Sequence, residues 1–125
     1  MRELIQSRAA PGPRFPYTPC VRIGGMTQVS GMVGLDPAEG GLVAGGAGAQ
    51  AAQIFRNLSA ALPEYGVTLE DLLIVRVFLV DFEEFPAFNA AWAAFFKDRP
   101  PARTTVGVSA LPLAAAVELE FTFAT

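Results

Sequence analysis

A chain of 125 residues is long enough for one domain with a substantial hydrophobic core, and we predict a single domain over residues 1–125. Only 17% of the residues are charged while 52% are hydrophobic, which predicts that further copies of the chain cover part of the surface. The net charge of −3 and the scattered basic residues argue against nucleic acid as a partner, because such binding normally needs a basic patch.

Histidine is absent from the chain, and cysteine occurs once, at Cys20. The missing histidine excludes the usual imidazole base, histidine-containing zinc sites and histidine-based catalytic triads. A single cysteine excludes an internal disulfide and fits a reducing compartment. Residues 1–15 lack an apolar run of signal-peptide length, and no stretch approaches a membrane span. We therefore expect a cytoplasmic protein without a membrane segment.

The first elements along the chain are a predicted hairpin and a loop. Residues 20–23 and 26–30 are typical of short strands around the pair Gly24-Gly25. Residues 34–50 are rich in glycine but lack the Lys-Ser/Thr pair of a phosphate-binding loop. We predict a flexible connection there.

Two helices and three strands are predicted in the rest of the chain. Apolar residues recur at helical spacing over 48–63 and 83–97, while 72–80 is a nearly continuous apolar run typical of a buried strand. Alternating residues predict the last strands over 103–109 and 116–124. The apolar faces of the helices are Ala51, Ile54, Phe55, Leu58 and Leu62, and Phe85, Phe88, Trp92, Phe95 and Phe96.

The predicted order ββαβαββ describes an α+β sheet with two helices, which can cover only one face of that sheet. The strand at 72–80 is nonetheless apolar on both faces, so we expect the sheet of a neighbouring subunit to cover the second one. Arg76 belongs to that second face and is predicted to be a paired interface arginine, with a ligand-binding role as the alternative. The two faces are Leu73, Val75, Val77 and Leu79, and Ile74, Phe78 and Val80.

The last two strands are predicted to form a hairpin centred near Pro112-Leu113. In the register that this turn suggests, Gly107 lies opposite Glu118 and Arg103 lies opposite Thr122. Directly opposed residues point the same way, so this register gathers the polar residues on one face. They are Arg103, Thr105 and Gly107 on one strand, and Glu118, Glu120 and Thr122 on the other.

This shared polar face predicts a site for a small carboxylate. Arginine binds a planar carboxylate through two parallel hydrogen bonds, and Gly107, without a side chain, would leave an open floor beside it. The register separates Arg103 from Glu118 by about 13 Å along the strand, a gap that a substrate would partly bridge. The alternative interpretation is a surface ion pair or a salt bridge between subunits.

Four segments run through nearly the whole chain in the order and spacing of one known family. They are "PYTP" at 16–19, "VSGMVGLDP" at 29–37, "VFLVDFEEFPAFNAAWAAFF" at 77–96 and "PARTTVGVSALPLAAAVELE" at 101–120. Together they resemble the reactive intermediate deaminase family, also called RidA/YjgF or Endoribonuclease L-PSP. The last segment is the most specific, with Pro-Ala-Arg-Ser/Thr, then Leu-Pro, then a Glu-x-Glu strand.

The resemblance implies a chorismate-mutase-like fold and a homotrimer, with sheets inside, helices outside and ligand clefts between subunits. Its best-known members hydrolyse 2-aminoacrylate and related imines to 2-oxo acids and ammonia, without a metal or organic cofactor. We therefore expect a cofactor-independent 2-iminobutanoate/2-iminopropanoate deaminase. Its partners would be small 2-imino and 2-oxo acids and other copies of the chain.

The resemblance also assigns roles to single residues. Arg103 would bind the substrate carboxylate, and Glu118 would position or activate the attacking water. The other substrate-binding residues would be Tyr17, Ser30, Asn89, Thr105 and Gly107, some of them contributed by the adjacent subunit.

Two positions depart from the family pattern. Thr105 stands where some members carry a reactive cysteine, and Met32 stands where many carry glutamine. Two other functions remain open: a non-catalytic regulator that binds small carboxylates at the same clefts, and a ribonuclease. The scattered basic residues and the absence of histidine argue against the ribonuclease.

Overall fold

Six strands and two α-helices form in the computed structural model, which describes residues 1–125. The elements are β1 Glu3–Ile5, β2 Cys20–Ile23, β3 Met26–Met32, α1 Gly46–Tyr65, β4 Leu72–Leu79, α2 Phe85–Phe96, β5 Ala102–Gly107 and β6 Val117–Ala124. The α+β class and every predicted strand and helix are confirmed. The additional strand is β1, whose three residues carry too little periodicity to be predicted. Neither helix combines the length and the apolarity that crossing a membrane requires.

The strands form one sheet in the order β1-β2-β3-β6-β4-β5, in which only the pair β4–β5 is parallel. Parallel neighbours need a crossover connection, and α2 provides it between β4 and β5. The α1 and α2 helices pack on one face of the sheet, as predicted. The core between them consists mainly of Ile54, Phe55 and Leu58 of α1, Phe88, Trp92 and Phe96 of α2, Val75, Val77 and Leu79 of β4, and Leu119, Phe121 and Phe123 of β6.

The predicted hairpin between the last two strands is wrong, because β4 lies between β5 and β6. Val108, just after β5, donates its N–H to the carbonyl of Leu79 at 2.8 Å. On the other edge of β4, Val80 donates to the carbonyl of Ala116 at 3.3 Å. Residues 108–116 therefore pass around the end of β4 instead of turning tightly beside β5. The central position of β4 gives both of its edges a hydrogen-bonded neighbour, β5 on one side and β6 on the other.

Leu73 in β4 does not lie on the sheet face that the alternation of residues in this strand predicts. The register with β6 shifts between Leu72 and Ile74, which leaves Leu73 outside the regular pairing. Leu73 is 54% exposed, whereas Leu79, predicted to share its face, is 0% exposed. The other face of β4 carries Ile74, Arg76 and Phe78, and no helix covers it.

Alanine substitutions at the two leucines should separate these environments. We expect Leu79→Ala to lower the free energy of unfolding by about 2–5 kcal/mol, since it leaves a cavity in the core. We expect Leu73→Ala, the matched control, to lower it by less than about 1 kcal/mol. Urea denaturation followed by fluorescence measures both. Equal losses at the two positions would contradict the register shift.

Candidate active site

The strand register places the side chains of Arg103 and Glu118 on opposite faces of the sheet. Arg103 lies opposite Val75, whose side chain is buried beneath the helices. Glu118 lies opposite Phe78 on the open face. Paired residues point to the same side of a sheet, so the predicted shared polar face is wrong within one chain. The open face does carry the three polar residues predicted to lie together on the last strand: Glu118, Glu120 and Thr122.

Aromatic rings of α2 and one amide surround the guanidinium of Arg103. Its Cζ lies 4.9 Å from the ring centroid of Trp92, 5.5 Å from Phe88 and 5.6 Å from Phe85. Its Nη1 donates to Oδ1 of Asn89 at 2.9 Å. Both ion pairs in the structure involve other arginines, so this cation has no carboxylate of its own chain. Burial lowers the pKa of Arg103, yet a guanidinium remains charged near neutral pH.

Thr105 and Gly107 follow Arg103 along the same face of β5. The hydroxyl of Thr105 is the one buried side-chain polar atom without a hydrogen-bond partner, which marks it as available to a ligand or water. Gly107 does not provide the open floor that we predicted. A Cβ there would stand 3.0 Å from the ring of Phe82, so that ring occupies the space. We call Phe85, Asn89, Arg103 and Thr105 the arginine surface.

On the open face, the carboxylate of Glu118 lies against the backbone of Gly31. A Cβ at Gly31 would be 2.5 Å from Oε2 of Glu118, so a side chain there would collide with the carboxylate. Gly31 lies where the register of β3 with β6 shifts between Val29 and Met32. It is absent from the predicted site residues. Its only sequence signal is a glycine that directly follows Ser30 in a strand.

A cavity of about 210 Å³ opens beside Glu118, and we call it the glutamate cavity. Gly31, which contacts the carboxylate, lines this cavity together with Tyr17, Ser30 and Met32. The Ser30 hydroxyl donates to the carbonyl of Thr18 at 2.6 Å. Burial, and then the charge of Glu118, raise the pKa of Tyr17, so its phenol is neutral and able to donate a hydrogen bond.

Glu118 is the acid whose environment disfavours its charge. Burial, and then the neighbouring charge of Glu120, raise the pKa of the Glu118 carboxyl above its ordinary value. Glu120 itself faces Arg76, with Oε1 3.6 Å from Nη1. Arg76 is thus a paired arginine within its own chain, and its place in a subunit interface stays a prediction. A carboxyl with a raised pKa beside a cavity is suited to exchange protons with a ligand.

Residues 10–15 form one wall of the glutamate cavity, and Glu64 near the end of α1 holds the segment that precedes them. Its carboxylate accepts the backbone N–H groups of Arg8 at 2.8 Å and Ala9 at 3.1 Å, and the hydroxyl of Ser7. The bonds from Arg8 and then Ser7 lower the pKa of Glu64. The negative end of the helix dipole disfavours a carboxylate at this position, and these donors offset that effect.

Cys20 is fully buried in the core, and burial raises its pKa to about 11. A thiol with such a pKa stays protonated at neutral pH and is a poor nucleophile. No three histidine, cysteine, aspartate or glutamate side chains converge in a way that could hold a metal ion.

The predicted site residues thus fall into two groups on one chain. Tyr17, Ser30 and Glu118 meet at the glutamate cavity, whereas Asn89, Arg103 and Thr105 meet at the arginine surface. One group holds an acid with a raised pKa, and the other holds a cation without a carboxylate partner. A carboxylate ligand that reaches both groups would have to lie between two chains.

Comparison with known proteins gives consistent matches over nearly the whole chain. The profile of the Endoribonuclease L-PSP family matches residues 7–125. A RutC family protein of Aquifex aeolicus is 41% identical over 122 residues, which cover 96% of each chain. A 2-iminobutanoate/2-iminopropanoate deaminase of Dermatophagoides farinae is 35% identical over 119 residues, covering 95% of this chain and 93% of that protein. The crystal structure of RidA from the Antarctic bacterium Psychrobacter sp. matches with a TM-score of 0.92 at 33% identity, over 98% of this chain and 99% of that one.

The raised pKa of Glu118 can be measured directly. We expect its side-chain carboxyl carbon to titrate at a higher pH than an ordinary glutamate side chain in NMR spectra of ¹³C-labelled protein. Glu120→Gln should lower the pKa of Glu118 toward the ordinary value, because it removes the neighbouring charge but leaves the burial. A pKa of Glu118 that is unchanged in this variant, or equal to the ordinary glutamate value in the wild type, would contradict the description of the cavity.

The role of Glu64 can be tested with trypsin, which cleaves after Arg8. We expect Glu64→Gln to raise the rate of this cleavage several-fold, because weaker hydrogen bonds let the segment detach more often. Glu39→Gln is the matched control, since the side chain of exposed Glu39 makes no hydrogen bond or ion pair. Mass spectrometry identifies the product. Equal cleavage rates in the two variants would show that Glu64 does not hold the segment.

Proposed function

Because the chain belongs to the Endoribonuclease L-PSP family, which includes RutC family proteins, RidA and proteins named 2-iminobutanoate/2-iminopropanoate deaminase, we propose that it hydrolyses 2-imino acids to 2-oxo acids and ammonia. Membership confirms the resemblance found in the sequence, and the match to RidA confirms the YjgF-like fold. The observation that carries the proposal is Arg103, a partly buried cation without a carboxylate partner in its own chain.

In this proposal the active site forms between two subunits. The open sheet face bears partly buried Ile74 and Phe78 and exposed Val106, apolar groups that a sheet from another copy would remove from water. Packing of these faces in a homotrimer would bring the arginine surface of one subunit to the glutamate cavity of the next. The opposite orientation of Arg103 and Glu118 in one chain supports this arrangement, since neither group faces the other without a second copy.

The chemistry follows from the two groups. Arg103, oriented by Asn89, would bind the substrate carboxylate through two N–H donors and place the iminium carbon beside Glu118. As water attacks that carbon, Glu118 would take one of its protons, which gives a tetrahedral aminoalcohol. Glu118 would then return the proton to the amino group. As the carbon–nitrogen bond breaks, Glu118 would take the hydroxyl proton, so that the 2-oxo acid and ammonia leave. Loss of this proton to water regenerates the carboxylate. A raised pKa favours both transfers, because the carboxyl must act as base and then as acid.

Hydrolysis of RNA is not the activity that these groups support. The family description names an endoribonuclease, but the net charge of this chain is −3 and its nine basic residues do not form a stripe along the sequence. Phosphate contacts from clustered lysine and arginine supply most of the affinity for RNA. A single arginine over three aromatic rings suits one small anion better than a polynucleotide.

Mixing two inactive variants tests the proposal and its geometry together. We expect Arg103→Ala and Glu118→Ala each to lower the rate of 2-aminoacrylate hydrolysis by about a hundredfold or more, because each removes one essential group. Refolded together in equal amounts, they should recover about one quarter of the wild-type rate, the share of interfaces at which an intact Arg103 meets an intact Glu118. A serine dehydratase supplies the substrate, and pyruvate formation above the spontaneous rate is measured.

Each variant refolded alone in the same way is the control. Full activity in both single variants would contradict the roles of Arg103 and Glu118, and no acceleration by the wild type would exclude the deaminase function. Loss of activity without recovery in the mixture would contradict the intersubunit arrangement. Saturable binding of 2-oxobutanoate that Arg103→Ala abolishes, with no turnover by the wild type, would instead identify the non-catalytic carboxylate-binding regulator.

A further inference from the structure

The glutamate cavity is larger than the smallest 2-imino acid needs. Its volume is about 210 Å³, and an apolar cavity of about 150 Å³ in another protein is large enough to hold benzene. The methylene or methyl group of a three-carbon substrate would leave most of this space unfilled. Room therefore remains beside Glu118 for a branched or aromatic side chain.

The walls of the cavity away from Glu118 are mostly apolar. Aliphatic side chains, prolines and one phenyl ring face it from three parts of the chain: the segment before β2, the end of β3 with the loop after it, and the turn before β6. The residues that matter here are Pro13, Phe15, Met32, Val33, Leu35 and Leu113. Contact with such walls stabilises a bound ligand in proportion to the apolar area it buries.

Most polar groups in the cavity are already engaged with the protein. Asn57 donates to the carbonyl of Leu35 at 2.8 Å and accepts from Gln53 at 2.9 Å, and Ser30 donates to Thr18 at 2.6 Å. A polar substrate side chain would lose its hydration there and gain few partners.

The charged groups of the cavity lie at its polar end and at its rim. Burial raises the pKa of Tyr65 to about 12, so this phenol adds no charge. Glu118 would repel an acidic side chain, and Arg14 is an exposed residue of the wall segment. Apart from Glu118 and exposed Arg14, the lining offers a substrate side chain neither a cation nor an anion as a partner.

We propose, resting on the proposed function, that the glutamate cavity selects 2-imino and 2-oxo acids with an extended apolar side chain, and that Met32 determines this preference. Met32 is partly buried, packs against the core and lines the cavity next to Gly31. Its unbranched thioether adapts to ligands of different shape and carries no hydrogen-bond donor. The carboxylate of the ligand lies on Arg103 of the neighbouring subunit, the reacting carbon lies beside Glu118, and the side chain extends over Met32.

Calorimetry with 2-oxo acids tests this preference without depending on catalysis. We expect 4-methyl-2-oxopentanoate to bind on the order of tenfold to fiftyfold more tightly than pyruvate, because three more carbon atoms leave water. We expect 2-oxoglutarate, whose side chain is similar in length but charged, to bind no better than pyruvate. Met32→Gln keeps the length of the side chain and adds an amide, so it should reduce the preference several-fold, whereas Met32→Leu should retain it.

The possible outcomes test the proposed preference of the cavity separately from the proposed deaminase activity. Equal affinity for pyruvate and 4-methyl-2-oxopentanoate, or a preference unchanged by Met32→Gln, would overturn the assignment of the cavity while leaving 2-aminoacrylate hydrolysis intact. A preference for the larger acid without hydrolysis of any imine would support the cavity assignment and exclude the deaminase. With activity present, imines generated by an amino-acid oxidase from leucine should be hydrolysed with a lower KM than those from alanine.

Discussion

The pairing of β4 with β5 on one side and β6 on the other is the constraint on which the placement of every functional group depends. Because β5 runs parallel to β4, it must be reached through α2, and its arginine then points to the side that α2 covers. Because β6 runs antiparallel to β4 on the other edge, Glu118 falls opposite Phe78 on the open side. One central strand thus separates the cation from the acid and places each in its own environment.

Much of the fold could be predicted from local patterns in the sequence. Helical spacing located both helices, and apolar or alternating runs located five of the six strands. Which strands are neighbours could not be predicted in the same way, since a short connection containing Pro112 is compatible with a tight hairpin as well as with passage around β4. The nearly continuous apolar run at 72–80 does indicate a central strand. Its register shift at Leu73 depends on pairing with β6 and leaves no local signal.

The candidate site shows the same division between chemistry and geometry. The types of the two central groups, an arginine and a glutamate, could be read from the sequence and its resemblance to a family. The roles of two glycines could not be predicted from the sequence, because each leaves room for a different kind of neighbour. Gly31 leaves room for the carboxylate of Glu118, while Gly107 leaves room for the ring of Phe82. Only the neighbours contributed by other segments distinguish a glycine that admits a functional group from one that admits an aromatic ring.

The orientation of Arg103 and Glu118 toward opposite sides of one sheet has a consequence for how such a protein responds to its own abundance. A lone chain holds both groups but cannot bring them to the same small molecule. Activity that needs both would follow the fraction of chains in the assembled form, which mass action sets through total protein concentration. Dilution would then lower the activity by dissociating the assembly, while each chain stays folded.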